Sequence, residues 1–497
     1  MTITETAILS AYFAVLIVLA VYGLHRYQLM YLYHKYRDRV PLPAGRFEQL
    51  PLVTVQLPIY NEMYVVTRLI DAVCRLDYPR ERLEIQVLDD STDETQQIAH
   101  AAVERYRAQG YDIHYLHRTD RLGFKAGALD YGMRRARGEF LAIFDADFIP
   151  APEILRRTID FFTDAGVGMV QVRWGHINRD FSILTQVQSM FLDGHFVLEH
   201  GARNRSGRFF NFNGTAGVWR RSCIIDAGGW QHDTLTEDLD LSYRAQLEGW
   251  RFVFLPQIVS PAELPVEMNA FKTQQHRWAK GSIQTGRKLI PKLLRSSLPW
   301  TVKLEALFHL TNNVAYLLMI ALSLLMFPAM AIRVKMGWSK TLFIDLPIFL
   351  LASASFSTFY FFAQREIYRD WMQRLKYIPF LMSLGMGLSV NNAKAVLEAL
   401  LGLDTEFRRT PKYRIESNRD QWKDKRYRGQ IDPLVLIELA LGVYFTVTLY
   451  YAIVSGLYFS IPFIILFQVG FLYTAMLSLL QQGHRWRFER QQAASRA

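Results

Sequence analysis

The chain has only two cysteines in 497 residues, Cys74 and Cys223. They form no CxxC pair and no zinc spacing. A disulfide framework and a structural zinc site are therefore excluded, and the soluble part is expected in a reducing compartment. No basic helix and no aromatic–basic repeat stands out, which argues against a nucleic-acid partner. There is no internal repeat and no low-complexity tract. Charge is sparse, at 21%, against 51% hydrophobic and 14% aromatic residues. That is too apolar for an ordinary soluble enzyme and too charged for a bare helical bundle, so a mixed architecture is implied. The net charge of +11 fits positive-inside topology; a phosphate-rich substrate or anionic lipid would also use it.

Residues from about Thr6 to Leu24 are almost wholly apolar and long enough for one spanning helix. A signal peptide is disfavoured, because no positive charge precedes the run and no small-residue cleavage site follows. His25, Arg26, His34, Lys35, Arg37 and Arg39 follow instead, which puts the next segment on the cytosolic side. Further apolar spans cover roughly 306–332, 342–363, 434–457 and 459–481. The stretch 378–401 is ambiguous, since Asn391, Asn392, Lys394 and Glu398 interrupt it. The loop 404–430 carries a dense set of basic residues that belongs in the cytosol. A crossing at 378–401 would put that loop outside, so 378–401 is read as an interfacial or re-entrant helix. One spanning helix then precedes the soluble domain and four follow it. Little chain is left after the last helix for an added regulatory domain.

Between them, about Leu52 to Glu263 reads as a soluble α/β domain. Val53–Ile59, Leu83–Leu88, Ile113–Leu116 and Phe140–Phe144 are short strand-like runs. Helical patterns separate them, one with Val66, Leu69, Ile70 and Val73 on one face and another over Lys125–Arg137. This alternation implies a mostly parallel sheet, whose ligands bind beyond the carboxyl ends of the strands. Asp89-Asp90 and Asp145-Ala146-Asp147 both sit at that edge.

Asp145 and Asp147, two residues apart, suit Mg²⁺ or Mn²⁺ together with a diphosphate, although Asp is also common in plain turns. Asp89 or Asp90 can accept from a nucleobase or ribose, or close a turn. Lys125, at a helix start, can meet phosphate. Thr236-Glu237-Asp238 opens a helix with Thr236 as N-cap. Its acids either complement the helix dipole or supply a general base, Asp238, for an attacking hydroxyl. Gln274, Arg277 and Trp278 share one helix face. They suit a leaving diphosphate and a stacked sugar, or a helix that snorkels at the membrane.

Taken in order beside membrane helices, Asp90, Asp145–Asp147, Thr236–Asp238 and Gln274–Trp278 resemble the processive branch of family 2 glycosyltransferases. Gln171-Val172-Arg173-Trp174 and Phe212–Arg220 resemble the plant cellulose-synthase-like A and C groups, and Phe407–Lys412 resembles the F-x-x-T-x-K gating loop of cellulose synthases. The resemblance covers roughly residues 50–430. Ala279-Lys280-Gly281 and Leu235 depart from the plant pattern, and the cyclic-dinucleotide domain of bacterial cellulose synthases is missing.

The resemblance implies a GT-A fold, Rossmann-like with a mostly parallel sheet, plus an α-helical transmembrane domain, and an inverting mechanism. It implies donor contacts at Asp89, Asp90, Lys125, Asp145, Gln274, Arg277 and Trp278, and metal contacts at Asp145 and Asp147. It implies catalysis by Asp238 with Glu237 and Thr236, acceptor contacts at Phe212, Asn213, Gly214, Thr215 and Trp278, and gating by Phe407, Thr410 and Lys412. The expected partners are UDP-glucose or GDP-mannose, a growing β-linked glycan and the bilayer; the alternative is one sugar added to a lipid acceptor. The expected division is a spanning helix in 1–30, a cytosolic catalytic domain in 50–263, and interfacial helices in 264–303. Spanning helices then fill 304–363, an interfacial helix and gating loop 378–430, spanning helices 432–483, and a cytosolic tail 484–497. A bacterial plasma membrane is favoured over a Golgi membrane.

Overall fold

The computed structural model describes the chain apart from residues 338–341, 404–408, 418, 423–424, 428–431 and 497, and the side chains of 342–349, 352 and 483–496. Seven strands form one sheet: β1 (Val53–Ile59), β2 (Leu83–Asp89), β3 (Ile113–His117), β4 (Phe140–Ile143), β5 (Val167–His176), β6 (Gly217–Arg220) and β7 (Arg251–Ala262). Their order is β3-β2-β1-β4-β6-β5-β7. β1 and β2 are buried almost throughout, as expected for strands covered on both faces. Their polar side chains satisfy one another across the ladder: Gln56 Nε2 donates to Gln86 Oε1 at 3.0 Å. Apolar clusters built on Val55, Leu69 and Val87 and on Leu141, Phe212 and Trp219 form the core.

Every pairing is parallel except those of β6, which runs against both β4 and β5. This reversal matters for the site. Ile143, the last residue of β4, pairs with Gly217, the first of β6. The loop entering β6 therefore lies beside the acidic loop leaving β4, at the edge where parallel sheets bind ligands. The helix expected over Lys125–Arg137 spans Phe124–Met133. It stops short because Arg137 N turns away to donate to Glu84 Oε2 at 2.9 Å.

Among the described residues, four helices are long and apolar enough to cross a membrane: Ile3–Lys35, Val314–Lys335, Val435–Val454 and Tyr458–Gln482. A further helix covers Leu342–Ile367. Leu16, Leu322, Phe445 and Phe467 belong to the apolar cluster that joins the first, second and last pair. The ambiguous stretch forms two helices, Ile378–Gly387 and Ser389–Leu401. The first packs on the last of these apolar helices through glycines: a Cβ on Gly387 would stand 2.4 Å from the Gly470 carbonyl oxygen. The second packs on a continuous 28-residue helix, Met268–Arg295, through Ile283, Val396 and Ala399. The fully buried Lys280 donates to Glu398 Oε2 at 3.2 Å across that contact.

Candidate active site

The acidic loop after β4 supplies two carboxylates to one cleft of about 190 Å³. Thr215 Oγ1, from the loop before β6, accepts from Asp145 N at 2.8 Å. Lys125 Nζ lies 2.5 Å from Asp145 Oδ1 and donates to the Gly214 carbonyl at 2.9 Å. Burial alone would lower the Lys125 pKa, but Asp145, Glu237 and Asp238 outweigh it and hold the ammonium above its ordinary value. Lys412 Nζ lies 2.6 Å from Asp147 Oδ2. Both carboxylates thus face cations, as residues in a negative local field should. Among the described residues, no group of three or more His, Cys, Asp or Glu side chains is arranged to hold a metal ion. Two carboxylates without a protein cage fit a Mg²⁺ or Mn²⁺ ion that draws its remaining ligands from phosphate and water.

At the β2 end of the cleft, Asp90 is held by Arg118 through two bonds of 2.8 and 2.6 Å. Arg121 lies 3.3 Å over the Tyr60 ring beside it, and both line the cleft. Asp89 does not join them, contrary to expectation. It is fully buried, and its carboxylate accepts from Ser91 N at 2.8 Å and from the Tyr115 hydroxyl at 2.6 Å. Its role is to close the strand end.

The opposite wall is the start of the helix Glu237–Leu247. Asp238 faces Gly214, where a Cβ would stand 3.0 Å from Asp238 Oδ2; Gly214 has φ +81°, so glycine is needed twice over. Burial raises the Asp238 pKa well above the usual carboxylate range and Glu237 adds to it, while Lys125 opposes them. A carboxylate tuned this way is a stronger proton acceptor. Thr236 is not the side-chain cap the sequence suggested. It makes no capping bond, and its hydroxyl lies 3.4 Å from Thr285 Oγ1. The cause is close packing: a Cβ on Gly281 would meet Thr236 Cγ2 at 2.5 Å.

Gln274, Arg277 and Trp278 line the cleft from the Met268–Arg295 helix, with Asn213, Gly214, Thr236 and Glu237. Phe212 and Thr215 do not line it. Phe212 is fully buried edge-on to Trp219, and Thr215 works from behind through Asp145. Thr410 and Lys412 lie at the mouth with Arg409. Phe407 lies outside the described residues. The 409–416 segment is latched by contacts that sequence reading missed: Arg409 Nε and Nη2 to the Glu62 carboxylate, both at 3.0 Å, and Tyr413 N and Arg414 N to Glu263, both at 2.8 Å. The unmatched carboxylates in the β1 and β7 loops were the available signal.

Residues 51–281 match the family described as Glycosyltransferase like family 2. This segment is a family 2 glycosyltransferase domain. Among curated proteins the chain is similar to glucomannan 4-beta-mannosyltransferase 2 of Arabidopsis thaliana, at 42% identity over 54% of this chain and 50% of the relative. It is also similar to glucomannan 4-beta-mannosyltransferase 1 of Oryza sativa subsp. japonica, at 44% over 50% and 48%. The chain therefore spans about half the length of these relatives. Both are plant proteins, so they lend the preference for a bacterial membrane no support. Among solved structures, the mannosyltransferase PcManGT from Pyrobaculum calidifontis, in complex with GDP-Man and Mn²⁺, aligns with a TM-score of 0.51 at 21% identity. It covers 79% of this chain and 99% of its own. That likeness supports the fold: the family 2 domain is a GT-A domain with a mostly parallel sheet.

The cleft of the family 2 domain continues toward the apolar helices. A cavity of about 260 Å³ shares Trp174, Asn213, Asp238, Gln274 and Trp278 with it. A third, of about 280 Å³, shares Phe191, Glu199, Asn312 and Tyr360 with the second. The third is walled by the Ile3–Lys35 helix, the start of Val314–Lys335, and Met382 to Met386. The helix 183–205 forms the side of this path. Its Gly194–His200 section is wound with i→i+5 bonds, a feature frequent at functional sites.

Proposed function

We propose that this protein is an inverting, processive membrane glycosyltransferase that polymerises a hexose from a nucleotide-sugar donor into a β-linked, 1,4-joined glycan and passes the glycan across the bilayer. The observation that carries this reading is the run of cavities from Asp238 to the apolar helices. A single-sugar transferase with a water-soluble acceptor would not need it. The mannosyltransferase names of the relatives favour GDP-mannose over UDP-glucose.

In this reading the nucleoside lies toward Asp90 and Tyr60, and the diphosphate lies between Lys125, Arg277 and the acidic pair. Asp145 and Asp147 would hold Mg²⁺ or Mn²⁺, whose chemistry there is Lewis-acid stabilisation of the leaving diphosphate. Trp278 and Asn213 bind the glycan end at the junction of the first two cavities. Its terminal hydroxyl attacks the anomeric carbon opposite the diphosphate. Asp238 takes the hydroxyl proton, and one displacement inverts the centre. Arg277 and Lys412 stabilise the departing negative charge. The 409–416 segment covers the loaded cleft and excludes water. The basic residues of 404–430 support a cleft on the cytosolic face, with 378–401 read as lying along that face.

The test is incubation of the purified full chain with radiolabelled GDP-mannose or UDP-glucose and Mg²⁺ or Mn²⁺. The expected product is a high-molecular-weight glycan sensitive to mannanase, or to β-glucanase if glucose is used. A single-sugar product extractable into organic solvent would overturn polymerisation and favour a lipid acceptor.

A further inference from the structure

Gln171 lies on β5, fully buried, and does not line the cleft. Three of its four side-chain hydrogen bonds nevertheless converge on the loop that enters β6, and the fourth goes to Val172 of its own strand. Its Oε1 accepts from Asn213 N at 3.1 Å. Its Nε2 faces three carbonyls, those of Val172 at 2.8 Å, Thr215 at 3.1 Å and Ala216 at 3.0 Å. Two N–H groups are thus shared among three acceptors, and no other side chain could supply both the acceptor and the donors at this reach.

The loop pinned in this way is not at rest. Ala216 has φ +55°, in the left-handed region that a residue with a Cβ disfavours, and Gly214 has φ +81°. Three of its four residues touch the two halves of the reaction. Thr215 Oγ1 accepts from Asp145 N, and the Gly214 carbonyl accepts from Lys125 Nζ. Gly214 has no side chain to separate its backbone from Asp238, and Asn213 faces the cleft and the second cavity. The Gln171 amide thus joins the backbone bonds of Ala216 and the His200–Asn213 contact in holding the loop that lies between the donor-side pair, Lys125 and Asp145, and Asp238.

We propose that Gln171 is a positioning residue for glycosyl transfer, holding the 213–216 loop so that base and diphosphate site keep their reactive separation. This rests on the proposed function, since it takes Asp238 as the base. The donor contacts proposed at Asp90, Arg277 and Asp147 lie outside the pinned loop. Loss of the pin should therefore fall on turnover rather than on donor binding. A displacement of about 1 Å at a reacting centre costs about 10²-fold in rate.

The test compares wild type with Gln171→Glu and Gln171→Met, measuring kcat, donor KM and melting temperature from pH 6 to pH 8. Glu keeps the shape but turns an acceptor toward three carbonyls, and it regains a donor only when protonated. Its activity relative to wild type should rise as pH falls. Met cannot donate at any pH, so its ratio should stay flat; it also serves if the Glu variant does not fold. The expected result is a fall in kcat of about 10²-fold with donor KM within about threefold of wild type. Wild-type turnover in both variants overturns the proposal. So does a fall that follows lost melting temperature, with KM rising in parallel and both ratios flat. If the wild type itself transfers neither sugar, the proposed function fails, and this inference fails with it.

Discussion

Lys412 Nζ stands 2.6 Å from Asp147 Oδ2, across 265 residues of chain. The same segment sends Arg409 to Glu62, whose carboxyl is pushed up to about 7 by burial and by Asp147, against the pull of Arg409 and Lys412. The mouth of the cleft is thus a set of carboxylates whose repulsion is relieved by one latched segment. Truncating a charge that is partly buried and paired leaves the partner uncompensated.

Lys412→Ala should therefore act in two directions. The divalent-metal concentration giving half-maximal donor binding should fall, because no tethered ammonium competes for Asp147. Turnover should fall about 10- to 100-fold, because a cation facing the leaving diphosphate is lost. Titration of donor binding and of rate against Mn²⁺ separates the two effects. An unchanged metal dependence would show that Lys412 and metal do not compete.

Asp238→Asn removes the proposed proton acceptor and keeps the shape. Transfer should drop by about 10²–10⁴-fold, while the donor Kd, read by equilibrium binding, stays within a few fold of wild type. Full turnover in this variant refutes the base assignment.

The raised pKa of Asp238 has a consequence for pH dependence. As the proposed base, Asp238 works deprotonated, so kcat/KM should rise with pH along an acid limb above the usual carboxylate range. Glu237 contributes by like-charge repulsion. Glu237→Gln removes that repulsion, favours the Asp238 carboxylate, and should move the acid limb to lower pH. A limb that stays in place, or moves up, contradicts this electrostatic account.

Gly385 lines the third cavity, with the Phe191 ring 3.8 Å from where its Cβ would lie. Gly385→Trp should plug the path without reaching the cleft. Product length, read by size-exclusion of labelled glycan, should collapse to short oligomers while initial sugar transfer persists. Polymer of wild-type length would mean that the glycan leaves another way.

The local elements were legible in the sequence because local rules govern them. Buried strands read as short apolar runs, so β1, β2, β3 and β4 lie within about a residue of where the pattern placed them. The long apolar helices follow from length and hydropathy, and the order of acidic and aromatic motifs pointed to the family. Tertiary structure decided which of those residues face the cleft. Asp89 and Asp90 are neighbours with the same side chain, yet one turns into Tyr115 and the other into the site, because successive residues at a strand end point to opposite sides. In the loop before β6, Asn213 and Gly214 face the cleft while Phe212 packs on Trp219 and Thr215 holds Asp145 N, a division set by the loop's packing and not by any period. The reversal of β6, the Arg409–Glu62 and Lys412–Asp147 pairs and the Gln171 pin join residues tens to hundreds of positions apart. No periodicity records such contacts, because they are chosen by the packing of the whole chain.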